Sequence, residues 1–253
     1  MFNIQMPYSI QPYKSGFRVY SISGTPLSKK PLTKTKALLQ LRAVYAAYGR
    51  KQRRLKGGSK EELDAQEIDT IEKYSLSESD LKDLLGPGIP VFTYEDLLTT
   101  NRIEDIFDKQ GRAIMLYLTE SKTVGHWVCL IKKKGVIEYF NSYGNLEPDE
   151  ELKWLSKAKA QELNQDTKKL SELLDNSKFK EVINPYRFQQ YKTDVNTCGR
   201  HVVCRLMFDH LDIKEYKALL DDAITELEKQ TKKKMNYDDF VCEYTYFLNH
   251  FNK

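Results

Sequence analysis

The chain has 253 residues, of which 40% are hydrophobic, 30% charged and 11% aromatic. This share of apolar residues suffices for a core and excludes a chain that is disordered throughout. The longest apolar runs, of about five residues, fall far short of the roughly 20 that span a bilayer, and nothing resembles a secretory signal. Four cysteines without CxxC spacing argue against a zinc site or a disulfide framework. We expect a soluble protein of a reducing, intracellular compartment, without a metal or organic cofactor.

The positive charge is concentrated at the start of the chain. Residues 1–60 contain thirteen Lys or Arg and no acid, which leaves 27 basic against 36 acidic residues in 61–253. A basic block gains free energy on a polyanion by releasing condensed counterions. We therefore predict contact with DNA or RNA through the densest run, Arg50, Lys51, Arg53 and Arg54. A solvated surface or a nuclear-import signal is the alternative.

This first part of the chain is predicted to form a mostly helical basic arm, residues 1–87. Four prolines make its first 32 residues extended or irregular. Helical periodicity then occurs at 33–48, 60–74 and 77–85. Because Gly86-Pro87-Gly88 stops the last of these helices, we place a domain boundary there. A second domain is predicted over residues 88–253.

The second domain is predicted to combine a mixed sheet with flanking helices, an α+β fold. Short apolar or alternating runs predict consecutive strands at 112–119, 124–131 and 136–140, and an extended run at 182–191. Helical patterns occur at 148–174, from 198 onward, at 213–230 and at 237–250.

The first candidate for chemistry is a histidine inside an apolar strand, in Gly125-His126-Trp127. The next strand ends in Phe140-Asn141-Ser142-Tyr143-Gly144, and adjacent strands can bring an end residue against a histidine. The amide oxygen of Asn141 would then accept the imidazole N–H and fix its tautomer. The alternatives are a core histidine whose hydrogen bonds are satisfied and an asparagine that merely begins a turn.

The second candidate is the thiol of Cys198, in Thr197-Cys198-Gly199-Arg200-His201. This segment opens an apolar helix, and a helix N-terminus favours the thiolate, so we expect a lowered pKa for Cys198. Gly199 would leave room for a substrate carbonyl beside the sulfur. The other three cysteines lack this setting and are predicted to be buried structural thiols.

A glutamine pair precedes the cysteine, in Phe188-Gln189-Gln190. A side-chain amide near the nucleophile can donate a hydrogen bond to a developing oxyanion. Either glutamine could instead be an ordinary surface residue.

Taken in order, these motifs resemble the adenovirus-protease and SUMO-protease superfamily of cysteine peptidases, over about residues 88–210. Within it the chain is most similar to the virion maturation proteases of large DNA viruses and virophages, such as the African swine fever virus protease. The resemblance implies a peptidase core in which Cys198 is the nucleophile, His126 the general base and Asn141 its orienter. A glutamine and the Cys198 backbone N–H would form the oxyanion hole. The spacing favours Gln190, with Gln189 as the alternate.

The same resemblance implies what the protein acts on. Substrates would be viral structural precursors cleaved at Gly-Gly-X sites, in the virion or the host cytoplasm, with nucleic acid as an activator and no membrane partner. Two alternatives stay open: an isopeptidase for ubiquitin-like proteins, and a non-catalytic nucleic-acid-binding virion protein on a protease-like scaffold. Leu55-Lys56-Gly57-Gly58 also resembles the cleavage consensus, so self-cleavage after Gly58 is a further hypothesis; a simple Gly-Gly linker is its alternative.

Overall fold

The computed structural model describes residues 8–14, 16–21, 26, 30–31, 63, 65–121 and 123–251. The predicted helix at 33–48, the basic run Arg50 to Arg54 and the Gly57-Gly58 segment lie outside these residues. In chain order the strands are β1 Tyr8–Tyr13, β2 Gly16–Ser21, β3 Val91–Thr93, β4 Arg112–Ser121, β5 Val124–Lys133, β6 Val136–Phe140 and β7 Lys180–Ile183. The α-helices are α1 Ala65–Lys73, α2 Glu78–Leu85, α3 Tyr94–Leu97, α4 Lys157–Glu162, α5 Lys169–Asp175, α6 Cys198–Met207, α7 Ile213–Thr231 and α8 Tyr237–Phe251.

The predicted α+β class is confirmed by a five-stranded mixed sheet in the order β3-β4-β5-β6-β7. The strands β4, β5 and β6 pair antiparallel in succession, and a parallel strand is added at each edge. The predicted central strands are confirmed, because alternating runs broken by turn residues make their periodicity plain. Within the predicted arm, β1 and β2 form a separate antiparallel hairpin.

Two helices, α2 and α7, begin at capping residues that the sequence supplies. Ser77 and Asp80 form a reciprocal capping box at the start of α2, and Asp212 and Glu215 do the same for α7. The helices predicted from residue 198, at 213–230 and at 237–250 are confirmed. The stretch predicted to be helical at 148–174 is instead divided into a 3-10 turn at Glu150–Trp154 and the short helices α4 and α5.

Each face of the sheet is covered by its own apolar cluster. One cluster joins alternate residues of β5, such as Trp127 and Cys129, to the helices α6, α7 and α8. The other joins the intervening residues, such as Val128 and Leu130, to α3 and α5. This period of two along a strand buried on both faces places adjacent residues of β5 in different environments.

The segment before the sheet packs against it. Leu76, Leu81 and Leu84 are buried in the same cluster as Trp127 and Cys198. The carbonyl of Leu76 accepts a hydrogen bond from the Trp127 indole N–H at 2.8 Å. The α1–α2 part of the segment assigned to the arm by sequence therefore contributes to the core that supports Cys198.

Candidate active site

The histidine and asparagine singled out in the sequence are hydrogen-bonded. His126 lies near the start of β5 and Asn141 directly follows β6, and Nε2 of the imidazole is 3.0 Å from Oδ1 of the amide. Both side chains are buried, with 4% and 1% exposure. The hairpin thus brings together two residues that are 15 positions apart in the chain.

Gly125 allows the strand to carry His126 in this position. A Cβ at Gly125 would lie 1.9 Å from the carbonyl oxygen of Tyr117 on the paired strand β4. A side chain there would push β5 away from β4, so glycine is the residue that permits the close approach.

Cys198 is the first residue of α6, as predicted, and its helix packs against β5. Backbone N–H groups of Trp127, Gly199 and Cys198 itself interact with the thiol. Trp127 is adjacent to His126 in the chain, and Tyr143, whose ring stacks on His126, interacts electrostatically with Cys198. The thiol thus contacts residues that adjoin His126 in the chain or stack on its ring, and among the described contacts no hydrogen bond joins the two side chains.

The protonation of the pair differs from what the sequence suggests. Burial raises the pKa of the Cys198 thiol, and the three N–H groups oppose this effect only in part. The expectation of a lowered pKa is therefore wrong, because the helix N-terminus lies in a buried setting. Burial also lowers the pKa of His126 to about 4, against a smaller opposing effect of the Asn141 hydrogen bond. At neutral pH the resting pair is a neutral thiol and a neutral imidazole.

Gly199 has a packing role that was not anticipated. A Cβ at this position would lie 3.1 Å from both the Leu76 Cβ and the Trp127 Cδ1 atoms. The space beside Gly199 is therefore filled by Leu76 and Trp127, where α6 packs against β5 and the segment before α2.

The two glutamines have different environments. Gln189 is 2% exposed, accepts a hydrogen bond from the Ser142 hydroxyl at 2.7 Å and donates one to the carbonyl of Val195 at 3.0 Å. Gln190 is partly exposed, and its backbone N–H donates to Asp238 at 3.0 Å. Among the described contacts the Gln190 side-chain amide has no partner, so it stays available to a ligand.

Aromatic rings surround the imidazole. Tyr143 stacks on His126 with ring centroids 4.8 Å apart, and Trp154 meets His126 edge-on at 5.4 Å. Tyr191 stacks in turn on Tyr143 at 4.2 Å and is 55% exposed. The rings shield the His126–Asn141 hydrogen bond, while Tyr191 and Trp154 present an apolar rim to solvent.

Two buried carboxylates near the site were not predicted from the sequence. Glu151 interacts with Asn141, and Asp238 of α8 contacts the segment around Cys198. Both occur in acidic stretches that are typical of solvated surface, so no sequence signal distinguished them. Within the part of the chain that the structure describes, no group of three or more His, Cys, Asp or Glu side chains is arranged to hold a metal ion.

These observations define an α+β protein that carries a buried histidine–asparagine pair and a buried cysteine at the N-terminus of a helix packed against the strand of that histidine. Over 157 residues the chain is 36% identical to the uncharacterized protein V9 of the Sputnik virophage. The aligned region covers 62% of this chain and 89% of protein V9. It belongs to the same family as protein V9 and is thus a viral protein. The chain matches no protein-family model. No described helix has the length and apolar character to cross a membrane.

Proposed function

We propose that the chain is a cysteine endopeptidase that cleaves viral structural precursors at Gly-Gly-X sites during virion maturation. The observation that carries the proposal is the 3.0 Å hydrogen bond between His126 and Asn141, together with the contact of the Cys198 thiol with the backbone N–H of Trp127, the residue after His126. A nucleophile, a base and a group that orients the base are the parts that thiol-dependent acyl transfer requires.

The neutral resting pair suggests the order of steps. As the Cys198 sulfur attacks the scissile carbonyl, its proton passes to His126, so that the tetrahedral intermediate forms with an imidazolium. The Cys198 backbone N–H and the Gln190 side chain would hold the oxyanion. His126 then protonates the leaving amine and the C–N bond breaks, leaving a thioester. Water, deprotonated by His126, hydrolyses the thioester and returns the thiol.

The test is cleavage of a panel of Gly-Gly-X peptides and of a ubiquitin-like fusion that ends in Gly-Gly. We expect peptide cleavage by the wild type and a loss of several orders of magnitude in Cys198→Ala and His126→Ala. Asn141→Ala is expected to be milder, since it loses orientation and no charge. Cys204→Ala is the matched control, because Cys204 is a buried cysteine of the same helix.

The outcomes separate the candidate functions. Cleavage of the fusion but not of the peptides would favour the ubiquitin-like isopeptidase. Cleavage of neither, with wild type and Cys198→Ala indistinguishable, would contradict the peptidase and leave a protease-like scaffold that binds nucleic acid.

The proposal includes nucleic-acid binding by residues 29–60, which would hold the enzyme where virion proteins are concentrated. The charge asymmetry supports it, because residues 1–60 contain thirteen basic and no acidic residues. Affinity for duplex DNA is expected to fall steeply between two salt concentrations, and further when Arg50, Lys51, Arg53 and Arg54 are changed to Ser. An affinity that neither salt nor these changes affect would remove nucleic acid from the proposal.

A further inference from the structure

The amide of Asn141 is held in one orientation from both sides. Its Oδ1 accepts a hydrogen bond from the backbone N–H of Tyr143 at 2.9 Å, and its Nδ2 donates to Oε1 of Glu151. A backbone N–H can only donate, and a carboxylate can only accept. The oxygen of Asn141 therefore faces His126, and Nε2 of His126 must be the donor. The other ring nitrogen, Nδ1, is left without a proton.

The burial of Glu151 goes beyond what its hydrogen bond with Asn141 alone would require. It is 2% exposed, and its Oε1 also accepts a hydrogen bond from the Tyr139 hydroxyl at 2.5 Å. Its second oxygen, Oε2, is buried and has no partner among the described residues. A buried carboxylate oxygen without a donor is costly, and a neutral glutamine could accept the same two hydrogen bonds. These hydrogen bonds alone therefore do not explain why a carboxylate, and not a neutral amide, occupies position 151.

We propose that Glu151 is a positioning residue of the site: through Asn141 it keeps the His126 proton on Nε2, leaves Nδ1 free to receive the Cys198 proton, and supplies the negative charge that the amide lacks. This inference rests on the proposed peptidase function. The charge is matched to the step in which His126 becomes an imidazolium, since a polarised amide oxygen stabilises that cation more than a neutral environment does.

The surroundings of Glu151 set the pH at which this charge is present. Burial raises the pKa of Glu151 to about 7, hydrogen bonds from Tyr139 and Asn141 lower it by less, and the charge of Asp149 raises it further. Tyr117 also interacts electrostatically with Glu151, while its hydroxyl hydrogen-bonds to Asp149. We expect kcat/KM of the wild type to rise as the pH increases through about 7, and Glu151→Gln to lose this rise.

The decisive experiment exchanges the amide of Asn141 and the carboxylate of Glu151. Glu151→Gln is expected to lower kcat/KM at pH 8 about 10-fold. Asn141→Asp alone also impairs cleavage, because it sets two carboxylates side by side. The double variant, with Asp at 141 and Gln at 151, restores one carboxylate and one amide and is expected to recover most of the activity. Glu150→Gln is the matched control, since Glu150 is the neighbouring acid and bonds to Lys153.

A second readout does not depend on cleavage. The chain has four histidines, so the imidazole nitrogens of the full-length protein labelled with ¹⁵N-histidine can be assigned by NMR. We expect the His126 proton on Nε2 in the wild type at neutral pH, with its resonance shifted upfield in Glu151→Gln and unchanged in Glu150→Gln. A wild type without peptidase activity would contradict the proposed function and leave this measurement intact.

Two results would overturn the inference about Glu151. One is a His126 proton found on Nδ1 in the wild type. The other is a Glu151→Gln variant with an unaltered His126 signal and an unaltered pH profile, together with no recovery in the double variant.

Discussion

Asp238 ties the last helix, α8, to the segment that leads to Cys198, because its Oδ2 accepts a hydrogen bond from the backbone N–H of Gln190 at 3.0 Å. Its Oδ1 accepts two more, from the Thr197 hydroxyl at 2.5 Å and from Nε2 of His201 at 2.9 Å. Burial alone would raise the pKa of Asp238, yet the hydrogen bonds from His201, Thr197 and Gln190 outweigh it and lower the pKa. One carboxylate thus connects the proposed oxyanion donor Gln190, the residue before Cys198 and the helix that Cys198 begins.

The first prediction concerns this carboxylate. Asp238→Asn replaces one acceptor oxygen by a donor, so at least one of the three donors, of which Thr197 and His201 are buried, loses its partner. We expect the free energy of unfolding to fall by about 1–3 kcal/mol, measured by urea denaturation. Asp239→Asn is the control: Asp239 accepts the Asn236 backbone N–H, which an asparagine oxygen can also accept. Equal losses in the two variants would contradict a specific role for Asp238.

The second prediction separates the two glutamines. Gln190→Ala is expected to lower kcat about 100-fold with little change in KM, as for a donor that acts mainly in the transition state. Its melting temperature should stay close to that of the wild type. Gln189→Ala should instead lower the melting temperature, because it removes a buried side chain with hydrogen bonds to Ser142 and Val195. The reverse pattern would make Gln189 the oxyanion donor.

The third prediction concerns the buried ion pair that joins α6 to β6. The Arg205 guanidinium binds Glu138 of β6 through two hydrogen bonds of 2.7 and 2.8 Å, and both residues are buried. Arg205→Met leaves Glu138 buried without a hydrogen-bonded partner, with only the Lys133 ammonium at 3.9 Å from its Oε2, so we expect a loss of about 3–5 kcal/mol in unfolding free energy. Lys82→Met, which breaks the exposed pair with Glu78, should cost less than about 1 kcal/mol. A small effect of Arg205→Met would mean that Lys133 or water compensates the charge of Glu138.

The fourth prediction follows from the opposite pKa shifts of His126 and Glu151. The pKa of His126 is lowered to about 4, so its contribution is complete above pH 6.5 and is lost as the pH falls from there towards 4. The pKa of Glu151 is raised to about 7, so its contribution is complete below pH 4.5 and is lost as the pH rises towards 7. Between these limits the two effects offset one another.

Replacing Glu151 leaves the pH dependence of the unfolding free energy that is due to His126. Between pH 5 and pH 7, Glu151→Gln should gain about 2 kcal/mol of unfolding free energy relative to the wild type, since it no longer ionises a buried acid. Denaturant unfolding at the two pH values measures the gain. Glu150→Gln should show no such gain, and a parallel pH dependence of wild type and Glu151→Gln would mean that Glu151 titrates as an exposed acid.

The sequence predicted those features that local pattern determines. The central strands and the helix that starts at Cys198 follow from periodicity, and the pairing of His126 with Asn141 follows from strand ends in a hairpin. What escaped prediction depends on burial between distant segments. The raised pKa of Cys198 results from packing that includes Leu76, and Glu151 and Asp238 stand in charged stretches whose buried positions only the tertiary structure determines.

The hydrogen bond between Leu76 and Trp127 has a consequence for the smallest fragment that can be active. A shortened chain that starts at residue 88 would lose Leu76, Leu81 and Leu84 from the cluster around Cys198 and would leave the Trp127 indole without its acceptor. Asn196, two residues ahead of Cys198, would also lose its contacts with Glu72 and Lys73. Proteolytic trimming that leaves the proposed activity intact is therefore expected to stop upstream of α1, and a cut after Gly58 would meet that requirement.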